Sequence, residues 1–396
     1  MNGDGRGMAY GVALSLAILA AASLTSIAYS ANAPLIRLSF DLSVVEVGAI
    51  ASCIYIGAAA SSISAGRMTD SLGAGPVLAL SMLALAVGSG VSALAPNAPA
   101  FFAGLVVAGL GYGAVNPPTN VLADPSDPRR RALSMSIKQS GIPLGGIVAG
   151  LIVPVAAVAT DWRLSLVIPI VVCGILALIS ARLPRGPAFG EEDGPARALA
   201  AIRLPHAFAY GFLVAGIQVA IFVFLAVYLV DERGFGADEA GAALALLLVG
   251  GLVGRPAWGW VSDRLHHDRV GVLQAAGALA AGFIALLPLA GGPLLYPVLI
   301  GIGLCAVGWN GVYLAMVNES VPPALIGSTS GVSLLLVNLG AVVVPPLVGL
   351  VVALGAGWSV PWFACAAVTI VSIGILQAGR TAPMLSAVSG GRADAV

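Results

Sequence analysis

The stretch Ser134–Gly146 reads SMSIKQSGIPLGG and holds Lys138, the sole lysine of 396 residues. No acidic residue lies within ten positions of it on either side. A cation in an apolar run needs a partner from elsewhere: headgroups reached by snorkelling along its stem, a carboxylate such as Asp124, or an anion that comes to it. Milder polar groups recur at helical spacing. Tyr112, Asn116 and Asn120 follow one another every four positions, and Ser23, Ser26 and Ser30 every three or four, so each set shares one helix face. Further along come Gln218 and Phe222, then Trp309, Asn310 and Tyr313, then Asn338. Such amides, hydroxyls and rings either hydrogen-bond neighbouring helices or hold a solute. None of the 18 acidic residues falls near the middle of an apolar run, so no buried carboxylate is offered for proton transfer. His206, His266 and His267, with Cys53, Cys173, Cys305 and Cys365, make neither a metal-ligand spacing nor a disulfide framework. No metal and no cofactor are expected.

What must position these groups is set by composition. Apolar residues make up 59% of the chain and charged residues 9%, with a mean hydropathy of +1.00. That balance belongs to a membrane protein. Crossing a hydrocarbon core takes about 20 apolar residues per helix. Twelve such runs are present, near 8–36, 43–66, 75–95, 98–123, 132–158, 163–183, 204–230, 236–262, 269–290, 293–320, 325–352 and 357–379. The short alternating segments of a barrel are missing, so the expected class is an all-α membrane protein with twelve transmembrane helices.

Arginines orient the chain. With the N-terminus in the cytoplasm, Arg129, Arg130, Arg131, Arg182, Arg185, Arg197, Arg203 and others gather on that side, against Arg37, Arg163 and Arg233 outside. The positive-inside rule then places both termini in the cytoplasm of a multi-pass protein of the inner membrane. Net charge is zero, with no basic tail, so lipid is an expected partner and nucleic acid is not. One segment mixes Gly, Pro, Ala and both signs of charge. It predicts a division into residues 1–183, a cytoplasmic linker 184–203, and residues 204–396.

The two parts repeat. GRMTDSLG, with Gly66 and Asp70, returns as GWVSDRL, with Gly259 and Asp263, after 193 residues. Trp162 and Trp358 are 196 apart, and Gly109 and Gly301, opening GLGYGAVN and GIGLCAVGWN, are 192 apart. Matches in order at near-equal offset indicate a duplicated six-helix unit, whose interface at mid-membrane is the place for a substrate. Pro117 and Pro118, and likewise Pro345 and Pro346, remove backbone donors at depth and predict kinks. Asp70 and Asp263 are expected to act as gates, accepting from helix N-termini of the opposite half, with Arg67 pairing Asp124 and Arg255 pairing Glu319.

These features together resemble the major facilitator superfamily of secondary transporters, through G-x-x-x-D-x-x-G at Gly66, Asp70 and Gly73, its degenerate copy near Asp263, and the 6+6 plan. The KQSG-x-P-L-GG stretch is similar to one in bacterial members labelled cyanate-type or generic transporters. The resemblance implies two pseudo-symmetric six-helix bundles in which spans 1, 4, 7 and 10 line a cavity, spans 2, 5, 8 and 11 flank it, and the rest support it. Positions that carry basic residues in the family's loop motif are here Ser71, Ala74 and Gly75, and Leu105 stands where many proton-coupled exporters have arginine. The expectation is a monomeric carrier, not an enzyme, moving a small anion by alternating access. Its site would comprise Lys138, Tyr112, Asn116, Asn120, Ser26, Ser30, Gln218, Phe222, Trp309, Asn310, Tyr313 and Asn338, with a coupling ion where transport requires one. Export of hydrophobic or weakly basic drugs is the rival within transport. A non-transporting receptor or scaffold is the rival outside it.

Overall fold

The computed structural model of the chain describes residues 4–123, 137–183, 204–265, 268–320 and 326–381, which are helical throughout apart from turns. Twelve spans are long and apolar enough to cross a membrane: α1 Tyr10–Ala31, α2 Val44–Ser62, α3 Ala74–Ala93, α4 Ala98–Ala123, α5 Ile137–Ala159 and α6 Trp162–Ser180. After the linker come α7 Pro205–Asp231, α8 Ala237–Arg264, α9 Arg269–Leu286, α10 Gly292–Glu319, α11 Val332–Gly355 and α12 Ser359–Gly379. Backbone groups in lipid must satisfy one another, which is why every apolar run became a helix.

Helix starts are written locally. Ser43 Oγ accepts from the Glu46 amide at 3.3 Å while the Glu46 carboxylate takes the Ser43 amide at 2.8 Å, a capping box ahead of α2. Asn97 Oδ1 accepts from Ala100 N at 3.0 Å to start α4, and Asp268 Oδ1 from Gly271 N at 3.0 Å to start α9. The short helix Ala33–Phe40 follows α1 and ends at Asp41, whose φ of 52° turns the chain back.

The bundle has a near end, where the odd-numbered helices begin, and a far end, where they finish. In the near half two cores stay separate. One draws on Ile18, Leu78, Met82 and Cys173, the other on Tyr210, Leu273, Trp309 and Val317. In the far half a single core merges both halves of the chain, taking in Tyr29, Ile50, Phe224 and Trp362.

Each half contains the same seam. A Cβ on Gly57 of α2 would stand 2.3 Å from Val106 O of α4, and one on Gly250 of α8 would stand 2.3 Å from Ile300 O of α10. The reciprocal contacts are Gly109 on Ile54 O and Gly303 on Leu247 O. Corresponding residues are 193 or 194 apart, the offset of the sequence repeat. Small residues permit backbones to approach this closely.

Contacts between halves concentrate at the far end. Gly48 of α2 lies against Pro345 and Pro346 of α11, Gly349 against Val44 and Val45, and Gly241 of α8 against Gly150 and Pro154 of α5. Ser52 Oγ donates to Val342 O at 2.6 Å, also from α2 to α11. Arg37 and Asp231 pair across the same rim. Near the other end Gly66 and Gly259 have open space where a side chain would stand. Among the described residues, the contacts between halves shut the far end.

Candidate substrate cavity

Two helices break where the halves face each other. α4 consists of Ala98–Ala114 and Asn116–Ala123, interrupted at Val115 just before Pro117 and Pro118. α10 passes through a π-helical segment, Gly303–Val307, and a turn at Gly308 and Trp309 before Asn310–Glu319. Prolines cause the first break, and the π segment with its glycines the second. Val115 and Gly308 are again 193 apart, so the breaks are copies of one feature. Both open onto a cavity of about 780 Å³.

Its walls come from α1, α2, α4, α5, α7, α8, α10 and α11, with no described residue of α3, α6, α9 or α12. On α1, Ser23, Ser26 and Ser30 face in. On α4, Tyr112, Asn116 and Asn120 do so along one stripe. Gln218 and Phe222 of α7, Trp309 and Asn310 of α10 and Asn338 of α11 complete the set of expected residues that reach the surface. Trp309 Nε1 donates to Gln218 Oε1 at 2.8 Å, which fixes an indole and an amide side by side. Tyr55 of α2, absent from the sequence reading, meets Tyr112 edge-on with ring centroids 5.8 Å apart. Asn318, Gln139 and Ser140 were also unforeseen.

Two expected residues stand behind the wall. Tyr313 is buried against Trp309 and Tyr210, with ring centroids 5.1 and 6.2 Å away, and its hydroxyl shares a hydrogen bond with Ser333 Oγ at 2.8 Å. The cavity face of this part of α10 is set instead by Asn310, Leu314 and Asn318, four residues apart, and Tyr313 falls to one side of it. Lys138 is fully buried, and its Nζ donates to Oδ1 of the exposed Asn120. No carboxylate among the described residues meets it.

The gate pairs differ from expectation. Arg255 does not meet Glu319. It lines the cavity from α8, and its Nη1 donates to Gln139 O of α5 at 3.3 Å while its Nε is buried without a partner. Glu319 is held by Arg269 at 2.9 Å, and Asp263 by the same guanidinium at 2.8 Å, so Arg269 gathers both acids within its own half. Arg67 is exposed. Asp124, with which it was expected to pair, and the side chain of Asp70 lie outside the described residues, as do His266, His267 and the linker 184–203. The missed signal at Arg255 was the same one that drew attention to Lys138, a cation inside an apolar span.

The model of the Major Facilitator Superfamily matches residues 14–345. The chain belongs to the major facilitator superfamily. As a member it is a transporter working by alternating access, and not an enzyme. Among relatives of this superfamily transporter, a hexuronate transporter of Bacillus subtilis is 25% identical over 353 residues, covering 82% of this chain and 83% of that one. A gentisate transporter of Corynebacterium glutamicum is 28% identical over 300 residues, covering 70% and 66%. A solved mutant of the nucleoside transporter NupG superposes with a TM-score of 0.77 over 92% of this chain and 99% of its own, at 17% identity, a likeness of fold.

Proposed function

We propose that this carrier moves a small organic anion across the cytoplasmic membrane, and that Arg255 receives the anion's charge. The observation that carries the reading is the cavity's charge: Arg255 is the charged side chain on its wall, and no carboxylate lines it among the described residues. A guanidinium on the cavity wall is the side chain best suited to take a carboxylate in two-point fashion. Around it Asn116, Asn310, Asn338 and Gln218 offer neutral donors and acceptors, and Phe222 and Trp309 offer apolar faces. That mixture suits an anion whose remainder carries hydroxyls or a ring. Two relatives are named for hexuronate and gentisate, both organic anions. Lys138 lies behind Asn120, off the cavity wall, at the same turn of α5.

Residues 1–183 and 204–396 are the two bodies that rock about the cavity, joined by the linker 184–203, and a single chain suffices to enclose the substrate. The arginine bias supports a cytoplasmic near end, and the contacts that shut the far end support an inward-facing reading. No coupling carboxylate lines the cavity among the described residues, so any proton that accompanies transport travels on the substrate or on a group outside this wall.

Counterflow of radiolabelled glucuronate and gentisate in proteoliposomes tests the reading. Arg255→Gln is expected to lower binding at least tenfold, from about 1.5–3 kcal/mol for a hydrogen bond to a charged group, with Arg255→Lys partly restoring it. Undiminished saturable uptake by Arg255→Gln would remove the anion assignment.

A further inference from the structure

Lys138 and Arg255 approach the same turn of α5 under different conditions. Arg255 reaches Gln139 O from α8 and lies on the cavity wall, whereas Lys138, one residue earlier, is wholly buried. Among the described residues, the only hydrogen-bond partner of its Nζ is Asn120 Oδ1. Asn120 itself is exposed and lines the cavity, as do Ile137, Gln139 and Ser140 on either side of the lysine. One amide therefore separates a buried cation from the solvent of the substrate chamber. The elements packed here bring few charges: α1 contributes Leu16 and Ala20 against Gly141 and Gly145, α4 contributes Asn120, and α8 contributes Arg255.

We propose that Asn120 is a charge-selectivity residue: by occupying Lys138 it leaves the substrate, among the described residues, one accessible cation, Arg255, and so restricts the cargo to monoanions. This rests on the anion reading of the cavity. A dicarboxylate bound at Arg255 has its second carboxylate among neutral amides, stripped of part of its water and given no counter-charge. The charge that would balance it lies within reach along α5, but the amide holds it. An amide suits this task because its oxygen satisfies an ammonium without neutralising it, while its other atoms face the cavity as a neutral surface.

Removing the screen tests the proposal. Thermal-shift titrations of the purified full-length protein would compare glucuronate with glucarate and benzoate with phthalate, pairs that differ by one carboxylate. In the unaltered protein the monoacids are expected to stabilise more than the diacids. Asn120→Ala is expected to raise diacid affinity relative to monoacid by roughly tenfold, the lower range for a hydrogen bond between charged partners. Asn120→Asp, which keeps the lysine occupied, is expected to retain the monoacid preference. The double variant with Lys138→Met should lose the gain that Asn120→Ala brings. An unchanged ratio in Asn120→Ala, a rise in Asn120→Asp, or a gain that persists without the lysine would overturn the idea.

A second measurement is independent of acid binding. Because Lys138 is the sole lysine, acylation by sulfo-N-hydroxysuccinimidyl acetate, read by peptide mass, reports its exposure alone. Protection in the unaltered protein and labelling in Asn120→Ala support the screen, and equal labelling refutes it. Failure of every acid to stabilise even the unaltered protein would instead remove the anion reading, and the selectivity proposal with it.

Discussion

Arg37, on the short helix after α1, and Asp231, at the last turn of α7, form an ion pair across the far rim of the bundle. The two residues are 194 apart in sequence, the repeat offset, so corresponding positions of the two halves carry opposite charges and meet. The pair exists only while that rim is shut.

Both side chains are about a third exposed, at 29% and 32%, so solvent screens the pair and its contribution is modest, about 0.2–1 kcal/mol. Arg37→Gln or Asp231→Asn should shift the conformational population toward the far-open state by roughly 1.5- to 5-fold on that scale. Distances between spin labels at Asp41 and Gly234 would report the shift. Exchanging the two charges should restore the original distribution, and loss of the effect in high salt should accompany it.

The glycine seams make a stability prediction with an internal control. A Cβ on Gly303 would stand 1.8 Å from Leu247 O, backbone that cannot turn aside, whereas Gly282 of α9 has nothing within 4 Å. Gly303→Ala should destabilise by about 1–3 kcal/mol, the usual cost of overpacking, and lower the melting temperature in detergent. Gly282→Ala should leave it level or raise it slightly, through better helix propensity. Similar melting of the two variants would contradict the seam.

The pairing of Trp309 with Gln218 predicts an energetic coupling between α10 and α7. Gln218→Leu leaves the indole N–H without its acceptor, and organic-acid binding should weaken more than the lost contact area explains. In a double-mutant cycle with Trp309→Phe the coupling should be about 0.5–1.5 kcal/mol, the net worth of one neutral hydrogen bond. Additive losses would mean the two side chains act separately.

Much of the architecture was legible because its causes are local or periodic. Apolar length fixed the twelve spans, and a repeat of about 193 residues fixed their grouping. The cavity stripes of α1 and α4 followed from polar residues three or four apart on uninterrupted helical faces, and Ser26, Ser30, Asn116 and Asn120 all arrive at the wall. Where the helix is irregular the periodicity is lost. α10 winds through a π segment just before Trp309, and beyond it the cavity face is carried by Asn310, Leu314 and Asn318, so Tyr313 lands against Ser333 instead of in the cavity. Partner choice among charges was not legible either. Whether Arg255 meets Glu319 or Gln139 depends on how α8 crosses α5 from the other half, and Arg269 claims Glu319 first.

The contact of Ser52 with Val342 has a further meaning. Pro346 carries no amide hydrogen, so the carbonyl of Val342, four residues earlier, has no donor within its own helix, and the hydroxyl of Ser52 supplies one from across the bundle. A flaw in one rod has become a clasp between two. Because the clasp grips main chain, the side chain at 342 is free to vary without loosening it, whereas an ordinary residue at 346 would give that carbonyl a second donor from α11 itself and make Ser52 dispensable to it.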